Sequence, residues 1–205
     1  DLYHNEKEKR PVCLSEYGGG GAISQHKDNV DWESDIDPIG VRHYENYQSQ
    51  LHEILWKQFS VRKYLWAEFI WCMFDFASYG RTEGDTKSLN DKGLCTRERI
   101  PKDVYFFYKS VWSSEKTVYI TERRHEFRAC DVPFVKVYSN ADAVALCIND
   151  VSHGRISRCE LPNDESTVFV WENIKIKPDT KNKICAKAYF SDGTSRTDYA
   201  FWTGK

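Results

Sequence analysis

Helical periodicity stops near residue 113, and that change limits the possible folds more than any other feature of the chain. Up to about residue 115, short apolar runs alternate with amphipathic ones. Residues 11–18, PVCLSEYG, read as a strand. In residues 39–61 Val41, Tyr44, Tyr47, Gln48, Leu51, Ile54, Leu55, Gln58 and Phe59 recur at threes and fours, which predicts a helix, with Asp37 and Pro38 at its start. Residues 64–78 have a continuously apolar centre, FIWCMF, the pattern of a parallel strand buried on both faces. Residues 101–112 open on a proline and predict a second helix. Strand, helix, strand, helix is the grammar of a parallel sheet or barrel. Beyond residue 116 only short β-branched and aromatic runs remain, among them TVYIT, FVKVYS, AVALCIN and TVFVWENIKI. Turn clusters such as NDVSHG, PNDES and SDGTS separate them. That predicts an immunoglobulin-like β-sandwich. The fold class expected is therefore α/β plus all-β, with residues 1–115 as one domain and 116–205 as the other.

Two strands and two helices are a quarter of an eight-stranded barrel, which takes about 250 residues. Such a piece leaves an open core and an unpaired edge, so the first region calls for more of the same barrel or for self-association. The absence of an initiator methionine agrees with a piece of something longer. Net charge is −2, with no block of one sign, which leaves nucleic acid without an electrostatic footprint. No apolar run reaches the roughly 18 residues of a membrane helix, and the charged start DLYHNEKEKR has no signal-peptide core. Seven scattered cysteines form no CxxC pair and read as buried free thiols rather than a zinc site.

Among the residues able to carry chemistry, Glu16 stands out. It sits where an apolar strand gives way to four glycines, Gly18 to Gly21. Barrel enzymes present their catalytic side chains at the C-terminal ends of strands, and glycines there let the backbone turn and keep the approach clear. A surface glutamate at a loop edge is the alternative. Trp71 and Asp75 follow the second strand, and Asn90 and Lys92 lie in the loop beyond it. The six histidines form no spaced cluster, and His43 and His52 read as packing or surface residues. Residues 122–128, ERRHEFR, read as a solvated surface. Trp171 and Trp202 read as sandwich core in preference to sugar contacts.

SEYGGGG with Gln25-His26 after it, then WCMFDFASYGRTEGD (71–85), NDKGLCTRERIPKDVYFFYKSVW (90–112) and VKVYSNADAVALCIND (135–150) occur in order along the chain. In this the chain resembles the C-terminal part of glycoside hydrolase family 2 enzymes, bacterial β-galactosidases in particular. The resemblance implies the end of a (β/α)8 TIM barrel, strands seven and eight, followed by an immunoglobulin-like domain. It implies that Glu16 is the nucleophile of a retaining glycosidase and that Trp71 forms a wall of the sugar subsite, with Asp75 at its mouth. The family's acid/base glutamate follows an asparagine on the fourth strand. Asn5-Glu6, the one Asn-Glu pair here, does not match that position. The acid/base is thus expected outside this chain, and the chain alone is expected to be inactive. A terminal β-galactoside is the expected substrate. Asn90 and Lys92 also resemble the carboxylate clamp of family 2 β-glucuronidases, which makes a β-glucuronide the alternative; a non-catalytic carbohydrate-binding or assembly module is another. No cofactor and no metal site are expected, and the partners expected are a carbohydrate and the remainder of a parent enzyme or a second copy. The resemblance implies glycan scavenging in a bacterial periplasm.

Overall fold

A computed structural model describes residues 1–6, 9–37, 39–162 and 166–205, with Leu2 described for its backbone alone. Pro38, expected at a helix start, and most of the turn expected at 162–166 lie outside the described residues. Packing divides the chain into two units, Asp1–Gln25 with Trp32–Lys102, and His26–Asp31 with Asp103–Lys205.

The first unit contains the short helix α1 (Leu2–Glu6), strand β1 (Val12–Tyr17), helix α2 (Glu45–Phe59), strand β2 (Leu65–Ile70) and the two-residue strands β3 (Phe76–Ala77) and β4 (Leu89–Asn90). β1 and β2 are parallel neighbours, paired from Val12 opposite Leu65 to Tyr17 opposite Ile70, with register shifts between Val12 and Cys13 and between Leu14 and Tyr17. With α2 as the crossover they form a βαβ unit. α2 starts at Glu45, later than the periodicity predicts. Tyr44 is held extended instead by its bridge to Ala22, and Glu45 N–H donates to the Gln25 carbonyl at 2.9 Å.

The expectation that residues 64–78 are buried on both faces fails. Trp66 is 67% and Phe69 55% exposed, and the strand ends at Ile70. Among the described residues, β1 is the one neighbour of β2 in its sheet. The buried face of α2 is also not the apolar one. Its fully buried residues are Glu45, Asn46, Gln48, Ser49 and His52, for a reason that lies in the glycine loop described below.

The second unit holds helix α3 (Asp103–Trp112) and strands β5 (Val118–Ile120), β6 (Phe127–Arg128), β7 (Asp131–Ser139), β8 (Ala143–Ile148), β9 (Val151–Ser157), β10 (Val168–Lys175), β11 (Lys181–Tyr189) and β12 (Ser195–Gly204). A three-stranded sheet, β10-β7-β5, faces a five-stranded one, β6-β12-β11-β8-β9. Alternation along each strand buries one side. Val135 and Val137 on β7, Phe169 and Trp171 on β10, Leu146 on β8, Ile184 on β11 and Trp202 on β12 form the shared core. The two tryptophans are core, as the sequence reads them. α3 packs in this unit, with Phe106 stacked on Tyr119 at 3.7 Å and Phe107 5.5 Å from Tyr138. The units therefore divide at Lys102/Asp103, where the sequence places its boundary near 115.

The ERRHEFR stretch is not a solvated surface. Glu122 and Arg128 are 3% and 2% exposed. The Arg128 guanidinium pairs with Glu122 at 2.9 Å and with Asp28, and stacks over Trp202 at 4.4 Å. Trp202 in turn donates its indole N–H to the Glu122 carbonyl at 3.2 Å. Burial drives Glu122 up to about 7, with Arg128 opposing. A charged run can be buried when its charges neutralise one another and partners supply the missing hydrogen bonds. The cysteines differ as well, since Cys95 is buried, Cys159 is exposed and the other five are half-buried, all free. Among the described residues, no helix is long and apolar enough to cross a membrane.

Candidate functional site

Glu16 occupies the penultimate position of β1, and its side chain is exposed. The neighbouring Tyr17 ring packs edge-on against Phe59 of α2 at 5.0 Å and lies 5.9 Å from the His52 ring. β1 is irregular between Leu14 and Tyr17, and Ser15 and Glu16 are both exposed there. Trp71 follows β2 directly, and its N–H donates to the Tyr17 carbonyl at 2.9 Å. The glutamate and the tryptophan therefore stand at the same C-terminal end of two parallel strands. The Trp71 indole is 42% exposed and meets Phe76 edge-on at 5.9 Å.

Residues 72–75 run alongside 92–95. Cys72 N–H donates to the Lys92 carbonyl at 3.2 Å, Leu94 N–H to Cys72 at 2.9 Å, and Asp75 N–H to Cys95 at 2.9 Å. This brings the Asn90–Lys92 segment beside Trp71. Lys92 is half-buried. Asn90 is buried, and its side-chain oxygen accepts the Lys92 N–H at 3.0 Å, which turns the loop. Asp75 is buried, accepts Gly93 N–H at 2.8 Å and pairs with Lys102 at 2.8 Å. Burial raises its pKa, with Lys102 as the main opposing influence. Glu16, Trp71, Asn90 and Lys92 are thus gathered at one strand end, whereas the Asp75 carboxylate is engaged in holding the loop.

Why the chain needs four glycines after Glu16 becomes plain from what surrounds them. Gly18 has φ +140, and a Cβ there would lie 2.9 Å from the Trp71 carbonyl oxygen. A Cβ on Gly20 would collide with the Asp91 carboxylate and lie 2.8 Å from His43 Nδ1. Such bare backbone brings carbonyls into the interior that must find donors, and polar side chains supply them. Gln48 of α2 donates to Gly19 at 2.8 Å and to Gly93 at 3.1 Å. Lys102, wholly buried, donates all three ammonium hydrogens: to the Gly21 carbonyl at 2.7 Å, the Asp91 carbonyl at 2.8 Å and the Asp75 carboxylate at 2.8 Å. Asp91 pairs with His43 at 2.8 Å. Gly20→Ala is expected to cost about 1–3 kcal/mol through overpacking, read as a lowered urea midpoint. An unchanged midpoint would mean the loop has slack.

His52, fully buried under the loop, has its pKa lowered to about 4, by burial first and by Lys102 second. The folded state then refuses a proton that the unfolded chain accepts below about 6.5. Stability contributed by neutral His52 is complete above that value and is lost as pH falls toward 4. Between pH 7.5 and 4.5, wild type should lose about 2–3 kcal/mol more than His52→Gln does. Equal losses in urea titrations of the two proteins would remove His52 as the cause.

Lys102, Gln48 and the His43–Asp91 pair were not singled out in the sequence. A cavity of about 190 Å³ lined by Ala22, Ile23, Asp75, Asp85, Asp91 and Arg97 opens on this network. Within the second unit Asp28, Glu122 and His125 bring ligand atoms within 4.8 Å of one another. Arg128 already supplies the positive charge between Asp28 and Glu122, which disfavours a metal ion there.

Residues 132–196 match a family model described as "Domain of unknown function (DUF4982)". The chain is 35% identical over 178 residues to a β-glucuronidase of Bacteroides fragilis, covering 86% of this chain and 24% of that protein. Two crystal structures superpose on the whole chain over 29% of their own length. One is an FMN-binding β-glucuronidase from Facaelibacterium prausnitzii L2-6, with TM-score 0.83 and 31% identity. The other is a putative β-galactosidase from Bacteroides fragilis, with TM-score 0.87 and 28% identity. The chain spans a quarter or less of the length of the curated relatives it matches.

Proposed function

The chain is homologous to family 2 glycoside hydrolases over about a quarter of their length, and on that premise we propose that it carries the nucleophile side of a retaining β-glycosidase active site. The observation that carries this reading is the position of Glu16: exposed, beside Trp71, at the C-terminal end of the parallel β1–β2 pair. Barrel enzymes build their active sites at the C-terminal ends of the strands. β1–α2–β2 is then the end of a TIM barrel, and the remaining strands cover the exposed Trp66 and Phe69. Retaining hydrolysis needs a second carboxyl about 5–5.5 Å away to protonate the leaving group and then activate water. That group comes from outside these 205 residues, and the chain alone is inactive. Trp71 offers a ring face for the C–H face of the sugar.

For the sugar we place a β-glucuronide first. The Lys92 ammonium sits in a loop bonded next to Trp71 and supplies a cation for a uronate carboxylate, and the 35% identical relative is a β-glucuronidase. A β-galactoside, the expectation from sequence, is the second reading and rests on the putative β-galactosidase with the same fold. The test assays chromogenic β-glucuronide and β-galactoside with a longer protein that includes this chain. A Lys92→Met variant should lose about 10–100-fold in kcat/KM for the glucuronide, with little change for a neutral glycoside. Equal loss on both sugars would remove Lys92 as a carboxylate clamp. Turnover by the isolated chain would overturn the two-part site.

A further inference from the structure

Two of the seven cysteines meet on the outer face of the five-stranded sheet, where the proposed hydrolysis makes no use of them. Cys147 on β8 and Cys185 on β11 are direct cross-strand partners. Their neighbours Leu146, Ile148, Ile184 and Ala186 fill the core, so alternation turns both thiols outward. Both are half-buried and free.

The register sets their separation. Asn149 N–H donates to the Lys183 carbonyl at 2.9 Å and the Lys183 N–H donates to the Asn149 side-chain oxygen at 3.0 Å, which gives 149/183 the spacing of a hydrogen-bonded pair. The ladder continues unshifted from Ile148–Ile184 to Ala143–Tyr189, so 147/185 is a hydrogen-bonded pair again, with Cα atoms about 5.5 Å apart. Disulfides span Cα separations of about 4.4–6.8 Å, most often about 5.5–6 Å. Opposed Cβ atoms in a sheet lie about 4.5–5.5 Å apart, whereas a disulfide prefers about 3.5–4.5 Å. Closure therefore draws two well-packed strands slightly together, and a bond made under such strain is readily reduced.

We propose that Cys147 and Cys185 form a reversible cross-strand disulfide by exchange with a low-molecular-weight disulfide such as oxidised glutathione. The Cys147 thiol gives up its proton and attacks one sulfur of the small disulfide. That S–S bond breaks, and one small thiol leaves with the proton. Cys185 then loses its proton and attacks Cys147 Sγ, which expels the second small thiol. Two protein thiols are oxidised and one small disulfide is reduced to two thiols. Burial, the Cys147 thiol and Asp150 raise the pKa of Cys185 against the pull of Lys183 and a Tyr199 hydrogen bond. Cys185 therefore suits the second, intramolecular attack, where its partner is held opposite it. The bond ties β8 to β11 across the β9–β10 segment and removes freedom from the unfolded chain.

The test equilibrates the 205-residue chain in buffers of varied reduced-to-oxidised glutathione ratio, quenches with acid and digests with trypsin without reduction. Peptides 137–155 and 184–187 each contain one of the two cysteines. A linked 137–155/184–187 species that grows with oxidant and vanishes with excess reduced glutathione is the expected result. The thermal midpoint should rise on oxidation in wild type and in Cys159→Ser, but not in Cys185→Ser. Glutathione on the exposed Cys159 while Cys147 and Cys185 stay unlinked would overturn the proposal, as would separate glutathione adducts on the two. The wild-type peptide map decides even if Cys185→Ser fails to fold.

Discussion

Glu16→Gln, in a longer protein that includes this chain, is expected to lower kcat for any β-glycoside by about 10⁴-fold or more. The amide keeps the shape of the carboxylate but cannot form the glycosyl-enzyme ester. Glu16 is exposed on a strand end, so the unfolding midpoint should stay within about 0.5 kcal/mol of wild type. Loss of activity with stability preserved separates a nucleophile from a structural residue. A further arm uses Glu16→Ala with added azide. If Glu16 is the nucleophile, azide attacks the sugar from the emptied side and yields a glycosyl azide of inverted configuration. Activity surviving in Glu16→Gln would remove the residue from the chemistry and favour a binding role for the strand end.

The second large effect is on stability. Lys102→Met is expected to cost about 3–5 kcal/mol, the usual penalty for removing one partner of a buried ion pair. Three acceptors lose their donor together: the carbonyls of Gly21 and Asp91 and the carboxylate of Asp75. Burial already raises the Asp75 pKa, so without Lys102 that carboxyl takes up a proton and the penalty shrinks as pH falls. Lys102→Met combined with Asp75→Asn should recover part of the loss, because no unpaired charge is left buried. Urea titrations of the two single variants and the double variant at pH 8 and pH 5 measure this. A Lys102→Met cost below about 1 kcal/mol at pH 8 would show that water replaces the ammonium. Catalysis should suffer as well, because Lys102 fixes the glycines that follow Glu16.

Much of the architecture was legible in the sequence because it follows from local periodicity. Short β-branched and aromatic runs between turn clusters marked the strands of the sandwich, and Trp171 and Trp202 lie in its core as read. The passage from VCLSEY to four glycines put Glu16 at a strand end. Runs at threes and fours located α2 and an opening proline located α3, although α2 begins later than its pattern predicts. Those readings hold because a backbone of that pattern has few alternatives.

What only the tertiary structure decided is which polar groups are inside. Gln48 and His52 belong to the buried face of α2 because glycine backbone, with carbonyls in need of donors, lies against it. Lys102 is buried because acceptors 81 and 27 residues away converge on one ammonium. Arg128 and Glu122 are interior because Asp28, about 100 residues distant, completes their pairing. Taken alone, each of those side chains costs free energy where it sits, and only partners far along the chain reverse the sign. The amino-acid order by itself therefore determined the strands, the helices and the position of Glu16 at a strand end. The buried charges that hold that position depend on distances between residues, which exist only once the chain has folded.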